Sequence, residues 1–123
     1  MYSETVKDHA LNPRNRREMK EPDATGEGKF PRCGDKVKFF FRFHEGRIQE
    51  VTFTASACAP AIAAASLATT MLLGRTREEG LKLGVFELHD ALGGLPTPKR
   101  HAILLVLECL TEALQHQPKP KSS

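Results

Sequence analysis

Residues 36–43 (KVKFFFRF) and 48–55 (IQEVTFTA) alternate apolar and polar side chains on either side of Glu45-Gly46-Arg47. No other feature constrains the fold as tightly. Two β-rich runs of that period, separated by a glycine-containing gap, predict a hairpin with a three-residue loop. The register pairs Phe41 with Val51, Phe39 with Phe53 and Val37 with Ala55, all on one face. A slip of one residue would turn every one of these side chains to the other face, so three agreeing pairs fix the register. Extended past the strand ends, the same register sets Cys33 opposite residue 59. Cys33 and Cys58 are therefore expected at one end of the sheet, although 25 positions separate them.

The flanking segments read as helices and loops. Ser3 suits the cap of a helix running to about Leu11, stopped by Asn12-Pro13. Residues 14–32 carry Pro22, Gly26, Gly28 and Pro31 and read as a long loop with a short edge strand near Lys29. After the hairpin, a helix is expected from Pro60 to about Leu73, with Gly74 as its stop. Thr76-Arg77-Glu78-Glu79 is a capping-box sequence for a short helix ended by Gly84. Residues 87–92 add a turn or two before Gly93-Gly94. Thr97 then caps a long helix from Pro98 to about His116, with Ile103, Leu104, Leu107, Leu110 and Leu114 facing the core. This order implies an α+β fold: a small antiparallel sheet of about three strands packed against several helices, the last one long. Residues 1–117 form one domain in this reading, and 118–123 (PKPKSS) a disordered tail.

Composition narrows the function classes. With 18 Lys and Arg against 15 Asp and Glu, no Trp and a single Tyr, the chain lacks the clustered basic and aromatic residues of a nucleic-acid binder. No apolar run approaches the ~18–20 residues of a membrane span. MYSETVKDHA has no signal-peptide core, and three cysteines are an odd count for a disulfide framework. The expected setting is cytoplasmic, with reduced thiols.

Cys58 stands at the mouth of a plain helix, SACAPAIAAASLATT, where unpaired N–H groups and the helix dipole favour thiolate. The alanines behind it allow close packing against the sheet and leave room for a ligand. Asp35 lies beside Cys33 in Arg32-Cys33-Gly34-Asp35. Two thiolates and a carboxylate at one helix mouth form a metal site short of a ligand. Cys109, between apolar neighbours in the last helix, reads as a core thiol. His9, His44, His89 and His116 show no partners in the sequence and read as ordinary side chains.

YSETVKDHALNPRN, RCGD, Cys58-Ala59-Pro60-Ala61-Ile62-Ala63-Ala64-Ala65-Ser66 and LPTPKRHA, in order over residues 2 to about 116, resemble the NifU/IscU iron–sulfur cluster assembly scaffolds. By that resemblance Cys33 and Cys58 match the first two cluster-ligand cysteines. Asp35 matches the aspartate that keeps the cluster labile, His101 the histidine opening the last helix, and Lys99 the site lysine before it. The resemblance thus implies a non-catalytic scaffold with Cys33, Asp35, Cys58 and His101 as ligands and a labile cluster, [2Fe–2S] in type. It implies a cysteine desulfurase and cluster-recipient proteins as partners. Leu95-Pro96-Thr97-Pro98-Lys99 matches the heat-shock chaperone loop, normally Leu-Pro-Pro-Val-Lys, with Thr97 and Pro98 departing from it. Ala102 stands where the family has its third cysteine, and Cys109, ~10 Å further along the helix, does not replace it. Two alternatives follow from that gap: a zinc-binding sulfur acceptor, or a degenerate paralogue that regulates a desulfurase.

Overall fold

The computed structural model describes residues 2–30 and 34–115. In chain order the elements are α1 (Glu4–Leu11), β1 (Ala24–Phe30), β2 (Asp35–His44), β3 (Arg47–Ser56), α2 (Ala59–Leu72), α3 (Arg77–Leu81), α4 (Val85–Ala91) and α5 (His101–Gln115). A 3-10 turn, Thr97–Lys99, precedes α5. The three strands form one antiparallel sheet in the order β1-β2-β3. α5 lies across β1 and β2, while α2 packs on β3 and against α1. The fold is the α+β arrangement expected from the alternation.

The hairpin has the anticipated pairs, Phe41 with Val51, Phe39 with Phe53 and Val37 with Ala55. Its loop is shorter than expected. His44 pairs with Arg47, leaving Glu45 and Gly46 as a two-residue turn with φ of 52° and 78°. Positive φ at both positions matches the twist of the flanking strands. An irregularity between Arg42 and Phe43 then restores the register, because Phe43 pairs with Ile48 and Arg42 with Glu50, leaving Gln49 as the extra residue. The free edge of β3 is covered from two sides: Phe53 N–H donates to Asn15 O at 2.9 Å, and Ile48 N–H to Arg75 O at 2.8 Å.

β1 is the largest departure from expectation: a full seven-residue strand in place of a short one within a loop. Its sequence, ATGEGKF, is poor in β-formers because α5 presses onto it. A Cβ at Gly26 would lie 2.3 Å from the Cys109 carbonyl oxygen and 2.5 Å from the Ala113 nitrogen. Only a residue without a side chain admits the helix that closely.

The helix ends shift for local reasons. Ser3 caps α1 by accepting from Val6 N–H at 3.1 Å, and its hydroxyl also donates to Leu92 O. The capping box of α3 is complete, Thr76 with Glu79 in both directions. Gly84 does not end α3, which stops at Leu81; it is the N-cap of α4, which starts two residues earlier than expected. Thr97 does not cap α5. The prolines at 96 and 98 have no N–H to donate, and the chain winds through short-range bonds, Lys99 N–H to Pro96 O and Arg100 N–H to Thr97 O, before α5 begins at His101. The buried side of α5 carries Ile103, Leu105, Val106, Cys109, Leu110 and Leu114. Leu104, expected in the core, is 52% exposed instead. His116 and the tail 118–123 lie outside the described residues.

Candidate metal centre

Three elements end at one place. Gly34, with φ of 72°, makes the left-handed turn that delivers Asp35 as the first residue of β2. Cys58 is the N-cap of α2, extended at φ −68° and ψ 160°, with Pro60 inside the first turn. His101 opens α5. The Asp35 carboxylate, Cys58 Sγ and a His101 ring nitrogen all lie within 4.8 Å of one another. These are one hard and two softer donors at a spacing that a single ion or a small cluster spans.

Burial and two helix starts set the character of this corner. Asp35 is only 5% exposed, and its Oδ2 has no hydrogen-bond partner among the described residues. A buried carboxylate oxygen in that state is costly unless a cation or a donor meets it. α2 and α5 both begin here, and neither has an acidic residue in its first turn. Asp35 and the Cys58 sulfur therefore receive the positive ends of two helices.

Of the remaining expected ligands, Cys33 lies outside the described residues. Lys99 is half-buried in the 3-10 turn two residues before His101. Ala102, directly after His101, is fully buried. Cys109 is far along α5 in the core, its Sγ donating to Val37 O at 3.4 Å. Burial, with Glu108 nearby, pushes its pKa up to about 12, so it stays a thiol.

Two histidines that looked ordinary in the sequence hold the scaffold around the site. His9 is 8% exposed, its Nδ1 2.7 Å from Ser66 Oγ. Ser66 Oγ also accepts from Arg14 N–H at 2.8 Å. The His9 contact ties α1 to α2. His89 Nε2 accepts from Leu95 N–H at 3.0 Å and anchors the loop that leads to His101. A polar residue on an apolar helix face, His9 over Ser66, was the only hint available from sequence.

The model of the NifU-like N-terminal domain matches residues 1–122. The chain is 40% identical over 114 residues to the iron–sulfur cluster assembly scaffold protein IscU 1 of Archaeoglobus fulgidus, covering 93% of this chain and 74% of that protein. It belongs to the NifU-like N-terminal domain family, the IscU type of iron–sulfur cluster assembly scaffold. The IscU scaffold of Azotobacter vinelandii is 35% identical over 118 residues, with 93% and 91% of the two chains covered. In solved structures, the N-terminal part of a NifU-like protein from Brucella abortus shares the fold, with a TM-score of 0.73 at 17% identity over 92% of this chain and 91% of that one. As a member of this family, the protein is a non-catalytic scaffold. Among the described residues, no helix is long and apolar enough to cross a membrane.

Proposed function

We propose that Asp35, Cys58 and His101, joined by Cys33, hold a labile [2Fe–2S] cluster as cargo, built from sulfur supplied by a cysteine desulfurase and passed to recipient proteins in a reducing, cytoplasmic setting. The observation that supports this most is the convergence of three donor types within 4.8 Å around a buried carboxylate oxygen that has no partner among the described residues. Two thiolates, one carboxylate and one imidazole complete four ligands. Carboxylate and imidazole bind iron less firmly than thiolate does, which suits a cargo that is handed on. Ala102, at the position of the family's third cysteine, leaves no additional soft donor beside His101, so this chain holds its cluster more weakly than a three-cysteine scaffold. Lys99, on the turn beside His101, contributes positive charge next to an anionic cluster. The Leu95–Lys99 loop is the contact for a heat-shock chaperone only if recognition tolerates Thr97 and Pro98.

The same Cys₂-His-Asp set is also competent for tetrahedral zinc. Protein purified without oxygen and analysed for iron, zinc and acid-labile sulfide separates the readings. Iron with equimolar sulfide is expected, and Asp35→Ala or Cys58→Ala should reduce it at least several-fold. Zinc without sulfide would identify a sulfur acceptor, and the absence of both a regulatory paralogue.

A further inference from the structure

Leu104 leaves an apolar groove open on the surface. Val85 on α4 and Leu104 and Leu107 on α5 form its floor, Glu108 and Glu112 its rim, and it encloses about 380 Å³. Val85 is 40% exposed, and Phe86 beside it 83%. At ~100° per residue, Leu104, Glu108 and Glu112 share the face of α5 that carries His101. Leu104 is a single turn beyond that ligand. The groove therefore runs directly away from the cargo site, and from residue 104 to 115 it is ~16 Å long, three helical turns.

The charge on this face selects its occupant. Glu108 and Glu112 are exposed, four residues apart, and make no ion pair among the described residues, whereas Glu87 on α4 is held by Arg75 at 3.0 Å. Like charges at that spacing repel, and a cation laid between them relieves the repulsion. The cleft on the outer face of the sheet has Lys36 and Lys38 in its lining against one acid, Glu27. Its lining is net positive, so a basic segment gains less there than in the acidic groove. A second copy of the chain would set acid against acid in this groove. The chain's own tail, HQPKPKSS, has lysines for the rim but no apolar side chain for the floor.

We propose that the α4–α5 groove docks a basic amphipathic helix of a partner protein, which places that partner at the His101 end of the cargo site. Three turns of such a helix set apolar side chains at i, i+3, i+4 and i+7 on Val85, Leu104 and Leu107, and Lys or Arg against Glu108 and Glu112. The purpose assigned to the partner, giving or taking cargo, rests on the scaffold reading above.

The test uses the full chain and a fluorescent 14-residue helical peptide with leucines at that spacing and flanking lysines, read by anisotropy in 150 mM salt. Binding at least tenfold tighter than that of a lysine-to-glutamate counterpart is expected. Leu104→Asp, and separately Glu108→Lys with Glu112→Lys, should each weaken it at least tenfold. Leu11→Asp, and Glu18→Lys with Glu21→Lys, exposed positions outside the groove's lining, should not. Circular dichroism checks that each variant is folded. Equal binding of both peptides, or indifference to the groove variants, overturns the proposal. So does dimerisation abolished by Leu104→Asp, which would make a second copy the occupant. Tighter peptide binding in Lys119→Glu with Lys121→Glu would make the tail the occupant and overturn it too. No cargo is needed for this measurement. Absent iron and sulfide would sink the scaffold reading alone, and absent peptide binding the docking face alone.

Discussion

Gly26→Ala tests the contact that organises the sheet edge. The added Cβ would stand 2.3 Å from the Cys109 carbonyl oxygen, 2.5 Å from the Ala113 nitrogen and 2.8 Å from the Ala113 Cβ. Ordinary contact begins near ~3.4 Å, so α5 and β1 must separate by about 1 Å, and the obstructing atoms are mainly helix backbone that cannot swing aside. Overpacking of this kind costs ~1–3 kcal/mol. Alanine also restricts the unfolded chain, which returns ~0.4–1 kcal/mol, so a net loss of ~1–2 kcal/mol remains. At about 4 °C per kcal/mol for a chain of this size, the melting temperature should fall by ~4–8 °C. Gly28→Ala serves as the internal control. Its Cβ meets a side chain, Cys109 Sγ at 2.9 Å, and Leu105 Cδ1 at an ordinary 3.5 Å. Adding Cys109→Ala removes the obstruction, so Gly28→Ala and Cys109→Ala should couple favourably by ~0.5–1 kcal/mol in a double-mutant cycle. The same second change should not rescue Gly26→Ala, whose clash is with backbone. A Gly26→Ala protein melting within about 1 °C of the parent would refute the close-approach account of β1.

Ala102→Cys should supply a thiolate beside His101, so a reconstituted cluster should outlast the parent's against a chelator and shift in visible absorption; unchanged lifetime with the fold intact would favour the regulatory paralogue. Asp35→Ala should raise the melting temperature of metal-free protein while lowering its iron content, because it removes a buried carboxylate oxygen that has no partner among the described residues; a fall in both would show that Asp35 is structural. Burial, with Arg14 nearby, holds the His9 pKa below its ordinary value of 6.5. The unfolded chain therefore takes up this proton first, and stability present above about pH 6.5 is lost as pH falls towards the lower folded value. His9→Gln should flatten that part of the melting profile, and parallel profiles for the two proteins would remove His9 as the cause.

The hairpin register was readable because alternation leaves a buried face only one solution, and Phe39, Phe41 and Phe53 enforce it. β1 was hidden for the opposite reason: Gly26 and Gly28 answer to a helix more than 80 residues away, and a tertiary contact outweighs local propensity. Leu104 was misplaced by a periodicity that admits two neighbouring stripes; contact with β1 and β2 selected the side carrying Leu105, Val106 and Cys109. Asp35, Cys58 and His101 were nameable from motif order, and the hairpin alone accounts for bringing residue 35 level with the start of α2. His101 had no such warrant, since nothing local says where a helix beginning after Pro96 and Pro98 will point. His9 and His89 were missed because their partners, Ser66 and the Leu95 N–H, are neighbours only in space.

Asp35, Cys58 and His101 each sit on the end of an element, and on the scaffold reading proposed above that placement separates cargo chemistry from folding. Asp35 starts β2, Cys58 precedes α2 and His101 starts α5, while the core is held by the middles of the same elements, Phe39, Ala64 and Leu105 among them. Ends fray and reorient at little cost, whereas buried middles move only when the domain opens. On that reading, a site assembled from three ends would spread to admit iron and sulfide and close around them with the sheet register undisturbed. The burial of Asp35 would supply the driving tendency in that closure. On the scaffold reading proposed above, its Oδ2, without a partner among the described residues, would disfavour the empty closed state and favour the loaded one. On the same reading Ala102, offering no thiolate beside His101, would act in the other direction, weakening the loaded state and favouring release.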